Sequence, residues 1–191
     1  MRADHWGNKM RKALLSIVAG LGLLVVGATP EVSAPAQPAT ELHPAWTEFK
    51  WPFLIDQWGI GRAFVCQPAE CGVKVVVYLR PKIGFCKCDT GVDGDDELER
   101  VGDNELIGTD TVALGPGHPI EVAWMKGRSR PYRGADRKAA GEFLSIGFND
   151  QCDVIVALAT FGGGDAKALE PAVLAFLNSE RVLRWVKWLL L

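Results

Sequence analysis

From Val73 to Arg80 the chain alternates. Val73, Val75, Val77 and Leu79 fall on one side and Lys74, Tyr78 and Arg80 on the other, the period-two pattern of a half-buried strand. Pro81 is expected to end it. Arg62 to Gln67 reads as a preceding strand, with Phe64 and Cys66 on one face, and residues 68–72 as the turn between them. Ile120 to Met125 alternates weakly and predicts a third strand, and Phe143 to Phe148 a fourth, followed by a turn at Asn149-Asp150. Asp153 to Phe161 (DVIVALATF) is almost wholly apolar, as a central strand with both faces covered must be. Gly162-Gly163-Gly164 breaks it. Helical spacing begins at Leu169, with Val173, Leu174 and Leu177 as a core stripe. It continues after Asn178-Ser179 through Val182, Val186, Leu189 and Leu190. Strands followed by a terminal helix predict an α+β fold: an antiparallel sheet of about five strands with a C-terminal helix packed across one face.

The first residues follow a different pattern. Arg2 to Lys12 is basic, Ala13 to Gly27 is an uncharged apolar run, and Val32-Ser33-Ala34 ends in small residues. This is the tripartite form of a secretory signal. The run is short of the roughly 20 residues that span a bilayer, so cleavage is favoured over retention as an anchor. The predicted organisation is a signal peptide over 1–34, a proline-rich leader over 35–45 and one α+β domain over 46–191. The aromatic run Trp46, Phe49, Trp51, Phe53 and Trp58 at its start is too apolar to stay solvated and is expected to lid the core. The expected location is periplasmic or secreted.

Charge narrows the partners. The chain has 21 basic and 23 acidic side chains. Removing residues 1–34 takes away four basic and two acidic ones and leaves a net charge of −4. No surplus of cations is available to displace counterions from phosphate, which argues against nucleic acid as a partner.

Five cysteines follow the leader: Cys66, Cys71, Cys86, Cys88 and Cys152. In an oxidising compartment disulfides are the default, and an odd number leaves one over. Cys66 and Cys71 bracket a tight turn and can bridge, and Cys152 can reach Cys86 or Cys88. The alternative is a thiophilic metal such as zinc on Cys66, Cys71, Cys86 and Cys88, although the spacing is not that of zinc ribbons. A redox pair at Cys86 and Cys88 is a third possibility. Asp89 and Asp93 oppose it, because nearby negative charge disfavours a thiolate.

Other constellations are weaker. Residues 86–110 hold nine acidic side chains and a short helix near Asp96 to Val101. A calcium loop starting at Asp89 fails at Gly91 and Arg100, and helix capping by Asp95 or Asp96 explains the acids. Lys126 to Lys138 reads as a basic connection. Lys126, Arg128, Arg130 and Arg133 could grip an anion or an acidic partner, or face the acidic stretch of the same molecule. Gly162-Gly163-Gly164-Asp165-Ala166-Lys167 lacks the spacing of a phosphate loop. His118 with Ser129 or Ser145 and an Asp is the sole route to a hydrolase triad, a combination that chance supplies in any chain this long. The tail from Arg181 to Leu191 mixes Trp, Leu and cations and is a candidate for peripheral membrane contact.

Trp51-Pro52-Phe53, Asp56-Gln57-Trp58-Gly59, Cys66, Cys71-Gly72, Tyr78-Leu79-Arg80 and Ile83-Gly84-Phe85-Cys86-x-Cys88 resemble uncharacterised exported proteins of alphaproteobacteria. The resemblance covers about a third of the chain and implies export but no activity. The element order is also similar to the α+β sandwich of PsbP-like photosystem accessory proteins, an analogy of topology that transfers no functional residue. With no acid, base and nucleophile assembled, the expectation is a non-catalytic, disulfide-stiffened exported domain that binds a partner or envelope component.

Overall fold

A computed structural model describes residues 45–85, 87–134 and 141–190. Among them the chain forms strands β1 (Trp46–Phe49), β2 (Arg62–Cys66), β3 (Val75–Lys82), β4 (Thr111–Ala113), β5 (His118–Val122), β6 (Met125–Gly134), β7 (Glu142–Asp150) and β8 (Asp153–Phe161). The α-helices are α1 (Pro68–Cys71), α2 (Asp95–Val101), α3 (Ala166–Leu177) and α4 (Glu180–Leu190), with a 3-10 turn at Asn104–Leu106. All strand pairs are antiparallel, in the order β1-β2-β3-β8-β7-β6-β4, and β5 also pairs with β6.

The α+β class holds, but the expectation of about five strands is wrong: the sheet has eight. Three strands were not expected. β1 falls in the aromatic run expected to lid the core, β4 in a stretch given no element, and β6 in the expected basic connection. The weak alternation at Ile120 to Met125 in fact spans a hairpin, with Ala123 at the left-handed φ of 53° between β5 and β6. β6 escapes hydrophobic patterning because small residues do the work of large ones on its inner face. A side chain on Gly127 would run into the backbone of Gly147 and Phe148 on β7. Pro131 fits because β5 pairs only as far as Ser129 and β4 begins at Tyr132. Its carbonyl accepts from the Leu114 amide on that side, so its missing N–H points into the gap between the two partners. Pro81 likewise does not end β3. It pairs with Ile155 where β2 has already stopped opposite Leu79.

Side-chain alternation divides the sheet into two faces. Phe64, Val75, Val77, Leu79, Leu144, Ile146, Phe148, Ile155 and Ala157 face the terminal helices and form the main core with Val173, Phe176, Leu177, Val182 and Val186. Two helices, rather than one, cover this face. α3 starts at Ala166, three residues before the expected point, because Asp165 caps it by accepting from the Lys167 amide at 2.9 Å. On the other face Val154 and Val156 pack against Val92, Leu98 and Val101 of the acidic stretch. Tyr132, Phe143 and Leu158 form a third cluster.

Two disulfides sit at opposite ends of the sheet. Cys66–Cys71 closes the α1 turn at the end of β2, with the Cα atoms 6.0 Å apart. Cys88–Cys152 ties the segment after β3 to the β7–β8 turn, with the Cα atoms 4.2 Å apart. Its sequence separation of 64, against 5 for the first, makes it the larger constraint on the unfolded chain. Loop-closure entropy gives roughly 4 against roughly 2 kcal/mol.

Candidate functional site

The most unusual chemistry lies on the face away from the terminal helices, at the end of β3. Odd positions of β3 enter the core, so Tyr78, Arg80 and Lys82 point the other way, as the i, i+2 rule requires. There they meet the end of α2 and the segment 51–60. Arg80 is 1 % exposed and Lys82 and Asp103 are each 3 % exposed. Buried charges of this kind persist only when paired and hydrogen-bonded, and these are. Arg80 donates to Asp103 through Nε at 2.9 Å and Nη2 at 2.5 Å. Lys82 Nζ lies 2.7 Å from Asp103 Oδ1 and donates to the carbonyls of Val101 at 2.7 Å and Gly102 at 3.2 Å.

The remaining guanidinium nitrogen, Nη1, donates to Asp56 Oδ2 at 2.5 Å. Asp56 differs from the other members: its side chain is 43 % exposed. The hydrogen bond from Arg80 holds its carboxyl below the ordinary value of 3.8, helped by the Trp58 amide, which donates to Oδ1 at 2.8 Å.

Aromatic rings wall the cluster. Lys82 Nζ lies 5.4 Å from the Trp58 ring centre and 5.8 Å from that of Phe85. The Arg80 guanidinium lies 5.9 Å from the Trp51 ring. Trp58 and Phe85 are in contact at 4.4 Å, and Phe53 meets Tyr78 edge-on at 4.8 Å. Trp51 can lie close on the sheet because Gly61 has no side chain; a Cβ there would strike the Leu79 carbonyl and the indole itself. The segment that lids the charges also shows apolar groups to solvent. Leu54 is 92 % exposed and Ile55 70 %, with Ile60 and, after β3, Ile83 also exposed.

Of the residues singled out from the sequence, the basic set is brought together with the acidic stretch. Arg128 pairs with Asp95 and donates to the Gly117 carbonyl at 2.9 Å. Arg130 pairs with Glu99 at 2.6 Å and lies 3.5 Å from Asp95. Arg133 pairs with Glu142 of the neighbouring strand at 2.7 Å, and Lys126 is exposed. Three of the four are therefore occupied within the molecule rather than held ready for an anion. Asp95, expected as a helix cap, is committed to Arg128 and the Gly117 amide. It does not cap α2: Gly94 holds that position without a side-chain hydrogen bond.

Of the four sulfurs considered as a metal set, the three on described residues, Cys66, Cys71 and Cys88, do not converge. Cys66 and Cys71 are bonded to each other beside Val75, which pairs with Phe161 at one end of β8. Cys88 is bonded to Cys152 at the other end, nine residues or ~30 Å away at strand spacing. Cys86 lies outside the described residues, as do Arg137, Lys138 and residues 1–44, with the expected signal and most of the expected leader.

His118 does meet a carboxylate, but from an unexpected residue. Its Nε2 lies 3.2 Å from Oε2 of the buried Glu170 on α3. Ser129 is its cross-strand partner. Yet Ser129 is fully buried and its Oγ has no hydrogen-bond partner, so no base activates it as a nucleophile. Ser145 lies on the opposite face, near Gly102. A groove of about 880 Å³ opens between Trp46, Ala172, Phe176 and Arg181, on the helix-covered side.

Arg80, Lys82, Asp56 and Asp103 were not recognised as a site from the sequence. The available signal was two cations at i, i+2 on one strand face, alternating with core residues and followed by Phe85. The alternation places Arg80 only on the second face of a half-buried strand. No protein-family model, curated protein or solved structure matches the chain.

Proposed function

We propose that the chain works outside the cytoplasm, in the periplasm or as a secreted protein, as a disulfide-stiffened binding domain without a catalytic centre. Its binding face is the segment 51–60, which engages an envelope protein. The observation that carries the reading is the exposure of Leu54, Ile55, Ile60 and Ile83 around a rigid, buried charge cluster. Clustered large aliphatic groups left in water mark interaction surfaces more often than scattered ones do. The Cys88–Cys152 bridge supports the same face, since it anchors the stretch that leads into α2 and Asp103. Among the described residues no helix is long and apolar enough to cross a membrane.

The test is photo-cross-linking in cells. A photoreactive residue at Ile55 is expected to give a discrete adduct in the envelope fraction, and one at Glu121, on the distant β5 hairpin, is not. Equal labelling from both positions, or a full-length unprocessed chain confined to the cytoplasm, contradicts the proposal.

A second reading rests on the C-terminal tail. Trp188 is 76 % exposed, and Lys187 holds its ammonium 5.2 Å over the ring of Trp124. Two indoles beside cations suit a membrane interface with anionic lipid. Sedimentation with anionic vesicles, lost in Trp188→Ser, is the result this reading expects; no binding to such vesicles removes it.

A further inference from the structure

We infer that the Arg80–Lys82 cluster is a carboxylate-binding site whose present occupant, Asp56, is a displaceable stand-in for a carboxylate on the partner.

Two cations are buried here, and a single buried carboxylate, Asp103, bridges them. The cluster reaches neutrality only by drawing in Asp56 from the lid. The two acids are held differently. Asp103 takes two donors of Arg80 and the Lys82 ammonium, and sits beside Val101 and Gly102, whose carbonyls also hold Lys82. Asp56 takes a single guanidinium nitrogen and the Trp58 amide of its own segment, and it rides on a short turn closed by the Gly59 amide donating to the Asp56 carbonyl at 3.0 Å.

Taking Asp56 away leaves Arg80 with an unused N–H group and the cluster with an excess positive charge. Trp58 and Phe85 stand beside Lys82, and Trp51 beside Arg80. A charged donor in such walls recognises a carboxylate far better than one in water, because little competing solvent remains. The neighbours of Asp56 in sequence are Leu54 and Ile55, the most exposed large aliphatic side chains among the described residues. A partner that covers them therefore grips the same segment that presents Asp56. The ligand chemistry that fits is an acidic side chain or chain terminus flanked by aliphatic residues.

This inference rests on the binding face proposed above, but its test does not need the natural partner. Acetate is the probe, and chloride at equal ionic strength is the control. Asp56→Ala lowers the melting temperature, and acetate restores it in a saturable manner that chloride does not reproduce. In the unaltered protein the tethered Asp56 competes at the high effective concentration of an intramolecular group, so acetate binds at least tenfold more weakly there. Asp56→Asn keeps the shape of the side chain and serves if the alanine variant does not fold. It is expected to show the same selectivity for acetate.

If acetate and chloride act alike on the folded variant, the carboxylate site is overturned, whatever the cross-linking at Ile55 gives. If acetate acts selectively while Ile55 yields no envelope adduct, the site stands and the choice of binding face fails. The two ideas can thus fail separately.

Discussion

Two strands of this sheet carry the same ingredients and use them differently. β3 places Arg80 and Lys82, and β6 places Arg128 and Arg130, at i, i+2 on the same face. Both pairs are answered by acids from one short stretch, residues 95–103. The β3 pair is sealed from water with Asp103. The β6 pair stays partly open, and its partner Glu99 is 53 % exposed. Equal charge counts therefore do not mean equal weight. In the first network each group depends on the others for its solvation; in the second, water substitutes for a lost partner.

The sharpest way to break the comparison is at Asp103. Asp103→Ala strands two buried cations and is expected to cost ~3–5 kcal/mol. For a domain of this size that is a fall in melting temperature on the order of 10 °C. Acid titration comes next. Arg100 holds the buried Glu97 carboxyl below the ordinary 4.5. At Asp95 burial opposes ionisation, but Arg128 and the Gly117 amide outweigh it and hold the group below 3.8. Depressed folded values mean stability that is present above the ordinary values and lost as pH falls through the folded ones. Denaturant midpoints should therefore hold above about pH 5 and decline below 4.5. A protein whose midpoint is flat from pH 5 to 3 would not contain these pairs. The smallest effect is expected from Glu99→Ala, under ~1 kcal/mol and shrinking with added salt. A loss as large as that at Asp103 would erase the distinction between the two networks.

Legibility followed the same divide. β8 could be read to the residue because apolar groups fill it on both faces, and α2 was anticipated to within a residue from its acids. β6 carries little hydrophobic signal because Gly127, Ser129 and Pro131 follow Met125 at its inward positions, while its outward cations look like a solvated loop. The charge cluster at β3 was missed for a related reason. Nothing local to Arg80 announces that Asp103 and the Trp51 segment will close over it, because those contacts cross 23 and 29 positions of sequence. For the cysteines, proximity along the chain allowed Cys66–Cys71, whereas the choice between Cys86 and Cys88 for Cys152 required the register of the β7–β8 turn.

The account depends on an oxidised domain whose sheet is clamped at both ends. Peptide mapping of the native protein, alkylated before digestion, tests that most directly. The expected result is a processed chain with Cys66 linked to Cys71 and Cys88 linked to Cys152. A full-length chain with all of these sulfurs alkylated as free thiols, or with Cys66 joined to Cys88, would contradict it.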